Sequence, residues 1–151
     1  MLDLLKSYQD RGLTLPLNDE NATTEVVELS APESTGATGV VSCKFVVLAN
    51  SSHYLLIFGD VQKYPYHANV LDAYSQQIGL ARHWIKQPDQ LHLDDPQFRL
   101  LGGGYLDLDR QRRKVRISGS SKAYGFFDSE AVRLIVKNSS FFAEFAVSVE
   151  Y

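Results

Sequence analysis

The chain has 151 residues, of which 44% are apolar and 22% charged, and its formal net charge is −3 at pH 7. These values are typical of one soluble globular domain, and they argue against nucleic acid or an anionic membrane as a partner. No apolar run approaches the roughly 20 residues of a membrane span. The single cysteine, Cys43, cannot form an internal disulfide, which agrees with a reducing compartment. We therefore expect a cytoplasmic domain that binds neither nucleic acid nor membrane.

Residues 1–40 are predicted to be an N-terminal extension that is partly irregular. Residues 2–11 could form a short helix, because apolar residues recur on one helical face. Residues 23–30, TTEVVELS, could form a strand, whereas residues 30–39 have the composition of a loop. The predicted folded domain then covers residues 41–151.

Two strands and a helix are predicted next. Residues 41–50, VSCKFVVLAN, are rich in β-branched and aromatic side chains and predict a buried strand. Residues 51–60 predict a second strand that follows a tight turn. Residues 66–79 predict a helix, because apolar residues recur at spacings of three and four and Gly79 is suited to end it. Residues 80–97 are polar, contain two prolines, and predict an excursion over the surface.

The charged segment that follows predicts an antiparallel hairpin with its turn at residues 110–113. This register pairs apolar and oppositely charged side chains with one another: Leu106 with Ile117, Leu108 with Val115, Asp107 with Arg116, and Asp109 with Lys114. Asp128 is a candidate N-cap for a helix that ends near Lys137, and residues 141–151 predict a final strand. Together these elements predict an α+β single domain, with a mixed β-sheet of about six strands flanked by two main helices.

Three local patterns admit both a functional and a plainer interpretation. LLGGGYL, residues 100–106, has the glycines of a phosphate-binding loop, but a strand follows it where such a loop needs a helix. Glycines in a strand more often mark a bulge or a close backbone approach. The basic run from Arg110 to Arg116 lies at a hairpin tip opposite acids, which favours a solvated turn over a nucleic-acid patch. The four histidines show no metal-ligand spacing, and HLDD, residues 92–95, is typical of a polar loop, so no metal site is predicted.

His67 begins the predicted helix in YPYHANVLDAY, residues 64–74. Its plainer interpretation is a polar residue at a helix end that hydrogen-bonds nearby backbone. The functional interpretation is that the positive end of the helix disfavours protonation of the imidazole. A neutral imidazole can act as a general base or as a nucleophile, and the N–H groups of the helix start could bind an anion. Both interpretations remain open on these residues alone.

Three motifs in order carry a resemblance to a known family. They are CKFVVLAN (43–50), a strand with a lysine; YHANVLDAY (66–74), a Tyr-His-Ala helix start; and residues 100–137, which join LLGGGYL, the hairpin, the turn GSSKAYG and a helix. In this arrangement the chain resembles the phosphohistidine phosphatase family, also called the Janus/Ocnus family, over residues 41–151. The resemblance implies a mixed sheet flanked by two helices, with no metal or other cofactor.

The resemblance also implies roles for individual residues. The histidine of the Tyr-His-Ala motif is the catalytic residue of the family, which implies that role for His67. The residues that the resemblance assigns to binding the substrate phosphoryl group are Lys44, Ala68, Ser121, Lys122 and Ala123. The chain departs from the family after the triple glycine, where the family commonly has an arginine and this chain has Tyr105. A tyrosine cannot form the bidentate phosphate contact of an arginine, and we expect Lys122 to compensate for the lost cation.

The resemblance thus implies a metal-independent phosphatase that hydrolyses the P–N bond of phosphohistidine in proteins or of related phosphoramidates. His67 would either deprotonate the attacking water, which ranks slightly ahead, or accept the phosphoryl group itself. The alternative is a non-catalytic module that holds a phosphorylated partner in the same pocket, and Tyr105 keeps that alternative open. A third possibility, a regulatory protein that docks a partner through its N-terminal residues, has no positive support.

Overall fold

The structure is a computed structural model that describes residues 23–29, 39–51 and 53–151. The predicted helix at 2–11 and most of the predicted loop at 30–39 lie outside these residues. The elements in chain order are β1 (Thr23–Glu28), β2 (Val40–Ala49), β3 (His53–Asp60), α1 (His67–Ile78), β4 (Arg82–Lys86), β5 (Gln90–Leu93), β6 (Arg99–Asp109), β7 (Lys114–Ser118), β8 (Ser120–Ser121), β9 (Gly125–Phe126), α2 (Ser129–Asn138), α3 (Ser140–Ala143) and β10 (Ala146–Val149).

The main sheet has the strand order β1-β3-β2-β6-β7-β10, and the short strands β8 and β9 attach beside β6. Its outermost pairs, β1 with β3 and β10 with β7, are parallel, whereas the central pairs are antiparallel. The predicted α+β class, with a mixed sheet and two main helices, is therefore confirmed. The sheet has eight strands rather than about six, because two strands of only two residues flank the turn at residues 122–124.

Both faces of the main sheet are buried, and a separate hydrophobic cluster lies on each. Alternate residues of β2 point to opposite faces, so that Phe45 and Val47 join the cluster beneath α2, while Val46 and Leu48 join the cluster beneath α1. This explains why CKFVVLAN is an almost continuous apolar run rather than an alternating one. None of the helices in the described part of the chain is both long enough and apolar enough to cross a bilayer.

The local signals that predicted the helix ends and the long hairpin are confirmed. Gly79 ends α1 in the left-handed conformation, with a φ of 76°. The Asp128 carboxylate caps α2 by accepting a hydrogen bond from the N–H of Ala131 at 2.9 Å. The β6–β7 register is the predicted one for all four pairs: Leu106 with Ile117, Leu108 with Val115, Asp107 with Arg116, and Asp109 with Lys114.

Two sequence-based predictions are wrong. Residues 80–97, predicted as an excursion over the surface without regular structure of its own, contain the antiparallel β4–β5 hairpin, which forms a separate two-stranded sheet against α1. Its strands are short and mostly exposed, so that few apolar residues carry the strand pattern. Residues 141–151 do not form one strand, because β10 covers only Ala146–Val149 and is preceded by the single turn α3. That turn gathers aromatic side chains into one cluster, namely Phe141, Phe142 and Phe145.

Candidate functional site

His67 is the first residue of α1, and the residue is only 6% exposed. The preceding Tyr66 is extended, and its N–H donates a hydrogen bond of 3.0 Å to Oδ1 of Asn69, one turn into the helix. This local contact holds the entry to the helix, since the first N–H groups of a helix otherwise have no partner. The chain direction at this point carries the His67 imidazole onto β6 of the main sheet.

One hydrogen bond determines which nitrogen of His67 is available for chemistry. Nε2 lies 2.9 Å from the carbonyl oxygen of Gly104, and a carbonyl only accepts, so Nε2–H is the donor. In the neutral imidazole the lone pair is therefore on Nδ1. Within the ranges that the structure covers, Nδ1 has no hydrogen-bond partner, and it is not sealed from solvent. His67 thus presents a free basic nitrogen from an otherwise buried ring.

The surroundings of His67 favour the neutral imidazole. Burial lowers the pKa of His67 below its ordinary value of 6.5, and the positive charge of Lys44 lowers this pKa further. The hydrogen bond to Gly104 opposes both effects, because it is stronger when the ring is charged. Burial is the largest of the three, so at neutral pH the Nδ1 lone pair is free to act as a base or a nucleophile.

Lys44 lies on β2, opposite Tyr105 in the pairing of β2 with β6, and its side chain places a positive charge near the start of α1. Its ammonium donates a hydrogen bond of 2.5 Å to the carbonyl oxygen of Pro65, just ahead of the helix. The ammonium also lies 5.6 Å from the ring centre of Tyr66 and 5.7 Å from that of Tyr105. These contacts direct the side chain of Lys44 toward the start of α1.

Tyr105 packs against both of the candidate functional residues. Its ring meets the His67 ring edge-on, with the ring centres 5.7 Å apart, and it forms the second aromatic contact of the Lys44 ammonium. It remains 42% exposed. Tyr105 therefore forms a half-exposed apolar edge beside the imidazole and the ammonium.

The triple glycine allows the backbone of β6 to pass between His67 and Ser121. A Cβ at Gly103 would clash with the carbonyl oxygen of Phe45 and would lie 3.0 Å from Cδ2 of His67 and 3.4 Å from Cβ of Ser121. The glycines thus lie within a strand and permit a close backbone approach, which confirms the plainer interpretation of this motif. Ser121 itself is buried, and its Oγ accepts a hydrogen bond of 3.0 Å from the N–H of Tyr124.

The remaining predicted binding residues lie in two different settings. Lys122 and Ala123 are exposed and line a cleft of about 700 Å³ that the turn shares with the β4–β5 hairpin. The hydroxyl of Tyr124 joins the turn to β5 by donating a hydrogen bond of 2.8 Å to the carbonyl oxygen of Leu91. The side chain of Ala68 is fully buried in the core, so only its backbone N–H could meet a ligand. Lys122 forms no hydrogen bond or ion pair with any residue that the structure describes.

The site thus combines a buried histidine, a lysine and a serine turn around the glycines of one strand. The family model described as the Janus/Ocnus family matches residues 33–146, which include all of these residues. The chain belongs to the Janus/Ocnus family. A search of curated proteins finds no match to the chain.

The backbone acceptors of His67 and Lys44 and the cleft beside Lys122 were not predicted from the sequence. The carbonyl oxygens of Gly104 and Pro65 orient His67 and Lys44, but a backbone acceptor has no signature in residue type. The run of three glycines was the one sequence feature that pointed to a close backbone approach at Gly104. The cleft beside Lys122 was not predicted because one of its walls is the β4–β5 hairpin. The polar residues of that hairpin do not show a strand pattern.

One cluster of metal-ligating side chain types in this Janus/Ocnus chain has no signature in the sequence. In the part of the chain that the structure describes, one group of three side chains comes close enough to hold a metal ion, and it comprises His83, His92 and Asp94. It belongs to the β4–β5 hairpin rather than to the surroundings of His67. Strand pairing brings the two histidines together, so they show no i, i+4 spacing in the sequence.

Proposed function

We propose that the chain is a metal-independent phosphatase that hydrolyses the P–N bond of phosphohistidine in proteins or of related phosphoramidates. The observation that carries this proposal is the free Nδ1 of His67. The imidazole is buried, and burial and the positive charge of Lys44 both favour its neutral form. The similarity of the three ordered motifs to phosphohistidine phosphatases supplies the substrate class. The proposal requires no cofactor, since the base or nucleophile is a side chain of the protein.

The charges of the site suit a phosphoryl group. The Lys44 ammonium supplies a positive charge, and the N–H groups at the start of α1 are aligned with the positive end of the helix dipole. A phosphoryl group on nitrogen departs readily once the leaving group is protonated, which for phosphohistidine means a proton on the other nitrogen of its ring. The protein therefore has to orient the group and balance its negative charge more than it has to activate it.

Two routes start from the same neutral Nδ1. In the first, Nδ1 of His67 takes a proton from a water molecule while the water oxygen bonds to phosphorus and the P–N bond breaks. The leaving nitrogen keeps the electron pair of that bond, and its ring departs as neutral imidazole because solvent has already protonated its other nitrogen. In the second, Nδ1 attacks phosphorus, the leaving nitrogen departs in the same way, and water later hydrolyses phospho-His67 to phosphate. Rapid quenching in alkali, where phosphohistidine survives, distinguishes the routes, because only the second accumulates label on the protein.

The test is phosphate release from a phosphohistidine peptide in the presence of a chelator. We expect the wild-type chain to release phosphate and His67→Ala to be slower by a factor of at least about 100, the usual contribution of a positioned acid–base group. His53→Ala is the matched control, because it removes a histidine from β3 outside the site and should retain the activity. Equal release by wild type and His67→Ala would exclude the proposed mechanism.

A second candidate function is a non-catalytic module that binds a phosphorylated partner in the same pocket. Tyr105 favours it, because an aromatic ring packs on His67 and Lys44 where the resemblance leads us to expect an arginine. Tight binding of the phosphopeptide by the wild type without phosphate release would support this function over catalysis. Tyr105→Arg should then gain phosphatase activity if the missing guanidinium is the reason for its absence.

The compensating role expected of Lys122 is also a proposal. Lys122 is exposed beside the Ser121 turn and has no partner within the described ranges, so its charge is available to an anionic substrate. We expect Lys122→Ala to raise KM for the phosphopeptide several-fold, while Lys86→Ala, which removes an exposed lysine from β4, leaves it unchanged. Unaltered KM and turnover in Lys122→Ala would refute compensation without affecting the role of His67.

A further inference from the structure

Two histidines at the β4–β5 hairpin both contact one carboxylate through Nδ1. The strand register places His83 directly opposite His92, and their ring centres lie 5.2 Å apart. Asp94 follows His92 by two residues, and its carboxylate lies 2.8 Å from Nδ1 of His83 and 2.9 Å from Nδ1 of His92. We propose that His83, His92 and Asp94 form a binding site for a divalent transition-metal ion of the zinc type. The proposal does not depend on the proposed phosphatase function.

The spacing of the donor atoms is close to that of a metal site. The two imidazole nitrogens and the carboxylate oxygen all lie within 4.8 Å of one another. Tetrahedral zinc, with bonds of about 2.0–2.1 Å, holds its ligand atoms about 3.3 Å apart. The two nitrogen–oxygen distances therefore need to open by a few tenths of an ångström, and the two nitrogens, which lie within 4.8 Å of each other, need to reach the same spacing. All three side chains are partly exposed, which allows water to complete the coordination.

The types of donor select the class of ion. Imidazole nitrogen is a good ligand for zinc, copper and nickel, whereas magnesium and calcium prefer sites made of oxygen. Two imidazoles and one carboxylate therefore favour Zn²⁺ over Mg²⁺. The Asp94 carboxylate has no lysine or arginine partner among the described residues, and its hydrogen-bond partners there are the two histidines. Its negative charge is accordingly available to a bound cation.

A bound ion would join the two strands of the hairpin near their open end. Isolated two-stranded hairpins are marginally stable in water, so a ligand shared by β4 and β5 would stabilise this one. His92 and Asp94 also line the cleft that contains Lys122 and Ala123, whereas His67 is not one of its lining residues. The ion would therefore add positive charge to one wall of that cleft without entering the proposed catalytic chemistry.

The first test is calorimetric titration of the full chain with Zn²⁺ after treatment with a chelator. We expect one equivalent to bind, with an affinity lowered at least about tenfold in His92→Gln and in Asp94→Asn. Asp89→Asn removes the same charge from the turn of the same hairpin and should bind as the wild type does. No binding at millimolar Zn²⁺, or equal binding by wild type and Asp94→Asn, would overturn the proposal.

A second measurement guards against binding elsewhere and against misfolded variants. We expect Zn²⁺, but not Mg²⁺, to raise Tm of the wild type and to leave Tm of Asp94→Asn unchanged, with circular dichroism reporting that both are folded. His67→Ala should keep its Zn²⁺ affinity, whereas its loss would assign the ion to the other histidine and overturn the site. Because these readouts are binding and Tm, a failure of the phosphatase assay leaves their interpretation intact.

Discussion

At the scale of single residues, the candidate site depends on one ring whose two nitrogens have different environments. Nε2 of His67 is tied to the carbonyl oxygen of Gly104, and Nδ1 faces a region into which Lys44 brings positive charge. The sequence alone predicted a neutral histidine from the helix dipole. In the structure the larger cause is burial of the ring, with the lysine second among the effects that lower the pKa. The direction was therefore correct, and the main physical reason was different.

This environment predicts the pH dependence of the His67 ring. The neutral form is the active one, and the pKa of His67 lies below 6.5, so proposed activity should rise with pH through a midpoint on the acid side of 6.5 and then level off. In Lys44→Gln the charge that lowers this pKa is gone, and the midpoint should move to higher pH. Because Lys44 is also a proposed substrate ligand, the measurement is an NMR titration of the His67 ring without substrate.

The matched control is Lys86→Gln, which removes a lysine from the exposed face of β4. Its His67 midpoint should coincide with that of the wild type. A His67 pKa at or above 6.5 in the wild type, or a midpoint that Lys44→Gln leaves unmoved, would contradict the electrostatic description of the site.

At the scale of elements, the β4–β5 hairpin is the part of the fold that the sequence predicted least well. Leu91 is 3% exposed and joins the core beneath α1, and the Tyr124 hydroxyl bonds to its carbonyl oxygen. Ile85, on the opposing strand, is 62% exposed. Leu91 thus connects the hairpin to α1 through its side chain and to the turn after Ser121 through its carbonyl oxygen.

These two apolar residues provide a matched pair of variants. We expect Leu91→Ala to lower the free energy of unfolding by about 2–5 kcal/mol, because it removes buried methyl groups and leaves a cavity. Ile85→Ala should change it by less than about 0.5 kcal/mol, since its side chain is already in water. Denaturation by urea measures both. Equal losses in the two variants would mean that the hairpin does not pack on α1 as described.

The two hairpins show why one element was predictable and the other was not. In β6 and β7 the apolar and charged residues alternate over several positions, so the register follows from pairing Leu106 with Ile117 and Asp107 with Arg116. In β4 and β5 only a few side chains are buried, and the cross-strand neighbours include His83 and His92, which carry no pairing preference that the sequence reveals. Their strand pairing depends on the surface of α1 beneath them.

At the scale of the whole molecule, the main sheet is covered on both faces, and this determines the chemistry of the single cysteine. Cys43 is buried in the first half of β2, and burial, with smaller contributions from nearby acids such as Asp60 and Glu28, raises the pKa of its thiol to about 12. Since the thiolate is the reactive form, the folded protein should protect this cysteine both by sealing it from reagents and by keeping it protonated.

Labelling of Cys43 therefore measures opening of the sheet. We expect a disulfide reagent at mildly alkaline pH to modify the native chain at least about a hundredfold more slowly than the chain in concentrated guanidinium, where the thiol pKa returns to about 8.5. The matched control is Ser42→Cys, which places a second thiol on the exposed neighbouring position of the same strand. Rapid loss of both thiols in that variant would show that the sheet is open in solution.

The sequence by itself determined the class of fold, the two main helices with their caps, and the long hairpin with its register. It also contains the motifs that made His67 and Lys44 the candidate functional residues. These features depend on periodicity, capping and pairing within short segments, where the physical preferences of neighbouring residues agree. Only the tertiary structure decided that Gly104, 37 residues from His67, orients the imidazole, and that His83 and His92 face the same carboxylate. Those contacts join residues that are distant in the chain or on paired strands, so their geometry exists only once the sheet and the hairpin have formed.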